Sequence, residues 1–228
     1  MKTVKKTLTL AASLLLAASA NASLIINDEI RNIDGDLDGS LDDLLISQIQ
    51  FDVAANTHIL FDSLVWEKTG VDLNHDGELT GFDSYMRLFS GTTALHVNNN
   101  DPSYGTNNSI DNSVTYKDSV FDYTFASAGS YLLTIGHFYY STSEALIGYD
   151  TNKFFSDAMK FTPYANSTPK DHGDWQVSFN VLSGDLSNVR LLNPVQANLP
   201  TAVPEPSSMM LFLLAALGIT STRTRKNQ

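Results

Sequence analysis

Apolar and polar residues alternate through most of this chain. Ile49, Phe51 and Val53 are separated by Gln50 and Asp52. Phe121, Tyr123 and Phe125 follow the same rule, as do Tyr131, Leu133 and Ile135, and then Trp175, Val177, Phe179 and Val181. Successive side chains of an extended strand point to opposite faces, so a period of two puts one face on a core and one in water. Turn-forming clusters stand between the runs: Asn98-Asn99-Asn100-Asp101-Pro102, Ala128-Gly129-Ser130 and Ser183-Gly184-Asp185. No long stretch between them keeps a helical period. Short amphipathic strands divided by polar turns predict an all-β body, an antiparallel sandwich over residues 23–192.

The two ends break the alternation. Residues 1–22 begin with Lys2, Lys5 and Lys6, continue with an apolar run from Leu8 to Ala18, and close on Ala20-Asn21-Ala22. That order is a secretory signal peptide, cut after Ala22. Residues 193–206 contain Pro194, Pro200, Pro204 and Pro206 and read as a linker. In residues 207–228, Met209 to Ile219 is apolar, and Arg223, Arg225 and Lys226 follow soon after. A full span needs ~20 apolar residues, so this run predicts a short transmembrane helix. The basic tail then lies in the cytoplasm and the body outside.

Charge sharpens the picture. The net charge is −11, but six of the 14 basic residues lie at the two ends and all 25 acidic ones lie between. The remainder therefore carries 8 basic against 25 acidic groups, or −17. Such a body repels nucleic acid and anionic lipid, and attracts divalent cations. There is no cysteine, so no disulfide holds the domain.

Val203-Pro204-Glu205-Pro206-Ser207-Ser208, a short apolar run and then arginines resemble the PEP-CTERM sorting signal. The resemblance implies that Val203, Pro204, Glu205 and Pro206 are recognised and cut by an exosortase, a membrane-embedded protease. The protein would be anchored in the membrane only transiently, then pass to the cell surface or an exopolysaccharide matrix. A second resemblance covers roughly Gln48 to Val181. Phe82 to Gly91 is similar to the Asp-x-Tyr strand of bacterial pre-peptidase C-terminal domains. Asp118 to Phe125, followed by Ala128 to Gly136, is similar to a hairpin of that family. This implies a jelly-roll-like, non-catalytic β-sandwich. The segment from His137 to Asp171 departs from the family pattern.

One motif carries chemistry. Asp72-Leu73-Asn74-His75-Asp76-Gly77-Glu78-Leu79-Thr80-Gly81-Phe82-Asp83 has the spacing of an EF-hand calcium loop. Asp72, Asn74, Asp76 and Thr80 place oxygens at positions 1, 3, 5 and 9. Gly77 serves the sharp turn, Glu78 offers its carbonyl, and Asp83 takes position 12 in place of glutamate. Calcium wants six to eight hard oxygens, which alternate positions of a tight loop can aim inward. The shorter Asp83 predicts weak binding, ~10⁻⁴–10⁻³ M. His75 is expected to point outward. The plain alternative is an acidic, solvated turn. Asp34, Asp36, Asp38 and Asp42 form a second such run, but position 12 is Leu45, so closure there would need Asp43 or a group from elsewhere.

No other signature of chemistry stands out. His58, His75, His96, His137 and His172 lack the spacing of a helical zinc site. There is no G-x-S-x-G elbow, P-loop or dinucleotide fingerprint. Trp66, Trp175 and Phe138-Tyr139-Tyr140 read first as packing, with a sugar-stacking platform as the alternative. The expectation is a non-enzymatic, calcium-stabilised surface or matrix protein. A carbohydrate-binding module and a secreted hydrolase with an unrecognised carboxylate pair are its rivals.

Overall fold

A computed structural model describes residues 23–67, 72–74, 76–100, 117–151, 161, 170–193 and 201–202. The expected signal peptide, membrane helix and His75 lie outside the described residues.

The alternating runs are strands. In chain order they are β1 (Ser23–Ile33), β2 (Asp43–Leu45), β3 (Ser47–Val53), β4 (Thr57–Leu64), β5 (Ser84–Ser90) and β6 (Thr93–Asn98). There follow β7 (Val120–Phe125), β8 (Gly129–His137), β9 (Tyr149–Asp150), β10 (His172–Ser183), β11 (Leu186–Leu191) and β12 (Thr201–Ala202). One sheet runs β7-β4-β10-β1-β2-β9, with β12 also on β1, and the other runs β11-β3-β8-β5-β6. Every pairing is antiparallel.

The period of two is visible in burial. In β3, Ser47, Ile49, Phe51 and Val53 are buried while Gln48, Gln50 and Asp52 are not. The apolar faces of the two sheets meet in one core. Phe51 from β3 packs on Phe61 at 5.8 Å, Phe125 at 5.8 Å and Phe179 at 5.4 Å, all from the opposite sheet. Tilted and edge-on ring pairs of this kind contribute ~0.5–1.5 kcal/mol each beyond their burial. Trp175 is fully buried and its indole N–H donates to Ser47 Oγ at 3.2 Å, so it belongs to packing. Tyr140 is likewise buried.

The expected hairpin of Asp118–Phe125 and Ala128–Gly136 is not one. β7 pairs with β4 in one sheet, and β8 pairs with β3 and β5 in the other. Residues 126–128 cross between the layers. Sheets pack ~10 Å apart, which three linking residues can span, so a short polar connection fits a crossing as well as a hairpin. Packing decides it: Phe125 and Tyr131 meet across the core at 4.6 Å.

The departing segment after His137 contains the one helix among the described residues, α1 (Thr142–Ile147). Ser141 and Glu144 form a capping box, with Glu144 N–H donating to Ser141 Oγ and Ser141 N–H to Glu144 Oε2. Gly148 ends the helix at φ +92°.

Of the expected linker, the described residues Asn193, Thr201 and Ala202 all bond to the body. Asn193 accepts from Gln48 N–H and donates to Ile46 O, both at 2.9 Å. Thr201 and Ala202 pair with Ile25 and Leu24.

Candidate cation loops and the sorting motif

The first acidic loop leaves the sheet after β4 and returns before β5. Its base is a short ladder: Glu67 N–H donates to Thr80 O at 3.0 Å, and Phe82 N–H to Val65 O at 3.3 Å. Within the loop the oxygens turn inward. Asp72 Oδ2 accepts from Gly77 N–H at 2.9 Å, Asn74 Oδ1 from Asp76 N–H at 3.0 Å, and Asp76 Oδ1 from Glu78 N–H at 2.7 Å. Gly77 sits at φ +85°, a conformation that a side chain resists.

The second loop repeats this plan. Asp34 Oδ2 accepts from Gly39 N–H at 3.1 Å, Asp36 Oδ1 from Asp38 N–H at 3.2 Å, and Asp38 Oδ1 from Ser40 N–H at 2.9 Å. Gly39 sits at φ +93°. Position 1 thus accepts from 6, position 3 from 5, and position 5 from 7 in both loops. In each a further carboxylate, before the first loop and late in the second, grips the N–H of position 2. Glu67 Oε1 takes Leu73 N–H at 2.5 Å, and Asp43 Oδ2 takes Gly35 N–H at 3.0 Å.

Groups distant in sequence complete the first loop. Asp174 of β10 is fully buried. Its Oδ1 accepts from Asn74 Nδ2 at 2.7 Å, and its Oδ2 from Thr80 Oγ1 at 3.1 Å. His172, on the same face of β10, brings Nε2 to 3.2 Å from Asp76 Oδ2 and 3.5 Å from Asp174 Oδ2. Lys170 reaches Glu78 at 2.9 Å. One atom each of Asp76, Glu78 and His172 lies within 4.8 Å of the other two, and the same holds for Glu29, His172 and Asp174.

Of the expected donors, Asp72, Asn74 and Asp76 accept loop N–H groups, and Asp76 and Glu78 converge with His172. Thr80 is fully buried, with its hydroxyl bonded to Asp174. Asp83 joins neither converging group. Its Oδ1 has no hydrogen-bond partner among the described residues, and burial raises its pKa, with Lys117 opposing. In the second loop Asp34, Asp36 and Asp38 converge, and Asp42 is outside the group.

The electrostatics follow from burial. Glu67 is fully buried, which pushes its carboxyl up to about 7 although Leu73 and Thr80 N–H groups oppose the shift. Burial raises Asp174 too, and the His172 imidazolium pulls it back. Contact with Asp174, helped by Asp171, holds His172 protonated up to about 10. Burial works against the charge of Asp76, but Glu78 N–H, Asn74 and His172 together keep its pKa low. A proton on His172 and the ammonium of Lys170 thus offset part of the loop's negative charge.

Sequence spacing could not find Glu67, Asp174 or His172; the last two reach the loop because β10 pairs with β4, the strand that leads into it. Of the candidate aromatics, Phe138 (41% exposed) and Tyr139 (63%) face solvent, with ring centroids 5.8 Å apart. Lys117 lies over the half-buried Trp66 at 5.0 Å.

The family model of the PEP-CTERM protein-sorting motif matches residues 202–226. The motif marks an exported protein, targeted to exosortase and held by a transient membrane anchor before surface display. No helix of the described residues is long and apolar enough to cross a membrane. No curated protein matches this chain.

Proposed function

We propose that this protein is a non-enzymatic structural or adhesive component of the cell surface or of an exopolysaccharide matrix. Its body is a jelly-roll-like sandwich delivered by exosortase processing. The observation that carries the reading is the sorting motif joined directly to an all-β body. Changing Pro204, Glu205 and Pro206 together to alanine leaves the protein in the membrane fraction. Release of that variant at the parental rate would sink the reading.

Calcium is the cation proposed for the loops, because their donors are hard oxygens. The hydrogen-bond plan common to Asp72–Glu78 and Asp34–Ser40 supports this, since it folds three side-chain oxygens of each loop inward. Calcium at ten times its Kd adds about 1.4 kcal/mol. Melting in calcium, magnesium and chelator tests this, with Asp76→Ala as the control. Equal melting in all three would reduce the loops to acidic turns.

Exposed Phe138 and Tyr139 favour a second reading, sugar binding by stacking. A glycan array with the parent and Tyr139→Ala decides it, and no parental binding ends it.

A further inference from the structure

The matched sorting motif begins at Ala202, the last residue of β12, and only Val203 separates that strand from Pro204. β12 is laid against the first residues of β1, with Leu24 opposite Ala202 and Ile25 opposite Thr201. β1 starts at Ser23, the residue after the expected signal-peptide cut. The other edge of β1 is fastened to β10, Leu24 facing Phe179. The new N-terminus and the approach to the second cleavage motif are therefore neighbours on one sheet.

This matters for how a protease can take the motif. Extended peptides are commonly gripped through their main-chain N–H and C=O groups. A chain paired to β1 as far as Ala202 offers one residue of slack before the motif. The body then stands in the way of a membrane-embedded active site. A two-residue terminal strand is also the kind of element that opens locally at little cost.

We propose that β12 is a latch on the sorting motif. Paired with β1, it leaves the motif one residue of tether and makes it a poor substrate; unpaired, it frees the motif for the protease. Cleavage then runs through the fraction of molecules with the latch open. This rests on the sorting reading above.

The chain has no cysteine, which gives a clean test. Facing residues of an antiparallel pair lie roughly 4.5–5.5 Å apart at Cα, within disulfide range. Leu24→Cys combined with Ala202→Cys in the full chain would lock the latch in the oxidising compartment. The assay is the rate of C-terminal processing in cells that contain exosortase. The locked chain is expected to be cut roughly tenfold more slowly or worse, because the open state is removed. Reductant, or a six-residue Gly-Ser insertion after Ala202, restores cutting. Each single cysteine variant is cut at the parental rate.

Parental-rate cutting of the locked chain would overturn the latch. So would failure of the two cysteines to cross-link, or failure of the insertion to rescue. A parental chain that is never cut would instead sink the sorting reading and take the latch with it.

Discussion

Glu67 allows a test in which two effects of opposite sign compete. Its carboxyl is fully buried, and each oxygen accepts one backbone N–H, Leu73 at 2.5 Å and Thr80 at 2.6 Å. Glu67→Gln keeps the shape but replaces one acceptor by an NH₂ group, which must face an N–H. An unpaired buried donor costs ~1–3 kcal/mol. The variant at low pH should therefore lose about 1–2 kcal/mol, or ~2–8 °C in Tm for a domain of this size. Ionisation acts the other way. The folded pKa of about 7 lies above the ordinary 4.5. The stability this group contributes is therefore complete below pH 4.5 and is lost as pH rises through 7. Glutamine does not titrate, and the shift from 4.5 to about 7 is worth roughly 3 kcal/mol, more than the starting gap, so the gap narrows over that window and reverses sign by about pH 8. Urea unfolding of both proteins at pH 4.5, 6 and 8 reads it, and all other titrating groups cancel in the difference. A gap that widens with pH would refute the reasoning. The two N–H bonds would then outweigh burial, and Glu67 would be an ordinary ionised buttress.

His172 has the opposite sign in charge and the same direction in pH. Its pKa of about 10 lies above the ordinary 6.5, so its stabilisation is complete below pH 6.5 and is lost as pH rises through 10. His172→Gln is expected to cost about 2–4 kcal/mol at pH 6, since it leaves Asp76 and Asp174 short of a cation. The difference in urea midpoint should vanish near pH 10.5; an equal cost at both pH values would contradict it. In the core, Phe51→Ala removes a ring that contacts the opposite sheet and should cost ~3–5 kcal/mol with the urea slope unchanged. A loss below ~1.5 kcal/mol would mean that the two sheets do not share that aromatic centre.

The strands were legible because one face of each is buried: Phe51, Leu133 and Val177 repeat at period two and point to the core. Which sheet a strand enters was not legible. Residues 126–128 suit a hairpin or a crossing, and the choice is made by the meeting of Phe125 with Tyr131, a contact with no local signature. α1 was legible in principle, as Ser141 and Glu144 stand three apart in the capping-box order. The first acidic loop was read from spacing, since Asp72, Asn74 and Asp76 turn inward by local hydrogen bonds. Its buried supports were not, because Asp174 lies 100 residues from Asn74 and reaches it through the sheet. The second loop was obscured by Leu45 at position 12. Its first seven positions nevertheless fold on the same plan as the first loop, with Asp43 holding Gly35 and Asp36.

The central claim is that this chain is trimmed for export at the motif spanning residues 202–226. Intact mass of the protein recovered from cells with and without exosortase tests it most directly. With the enzyme, the account predicts a chain that starts at Ser23 and ends near Pro204-Glu205-Pro206, outside the membrane. Without it, the chain keeps its tail through Gln228 and stays in the membrane fraction. A chain that retains Gln228 in the presence of the enzyme would contradict the account.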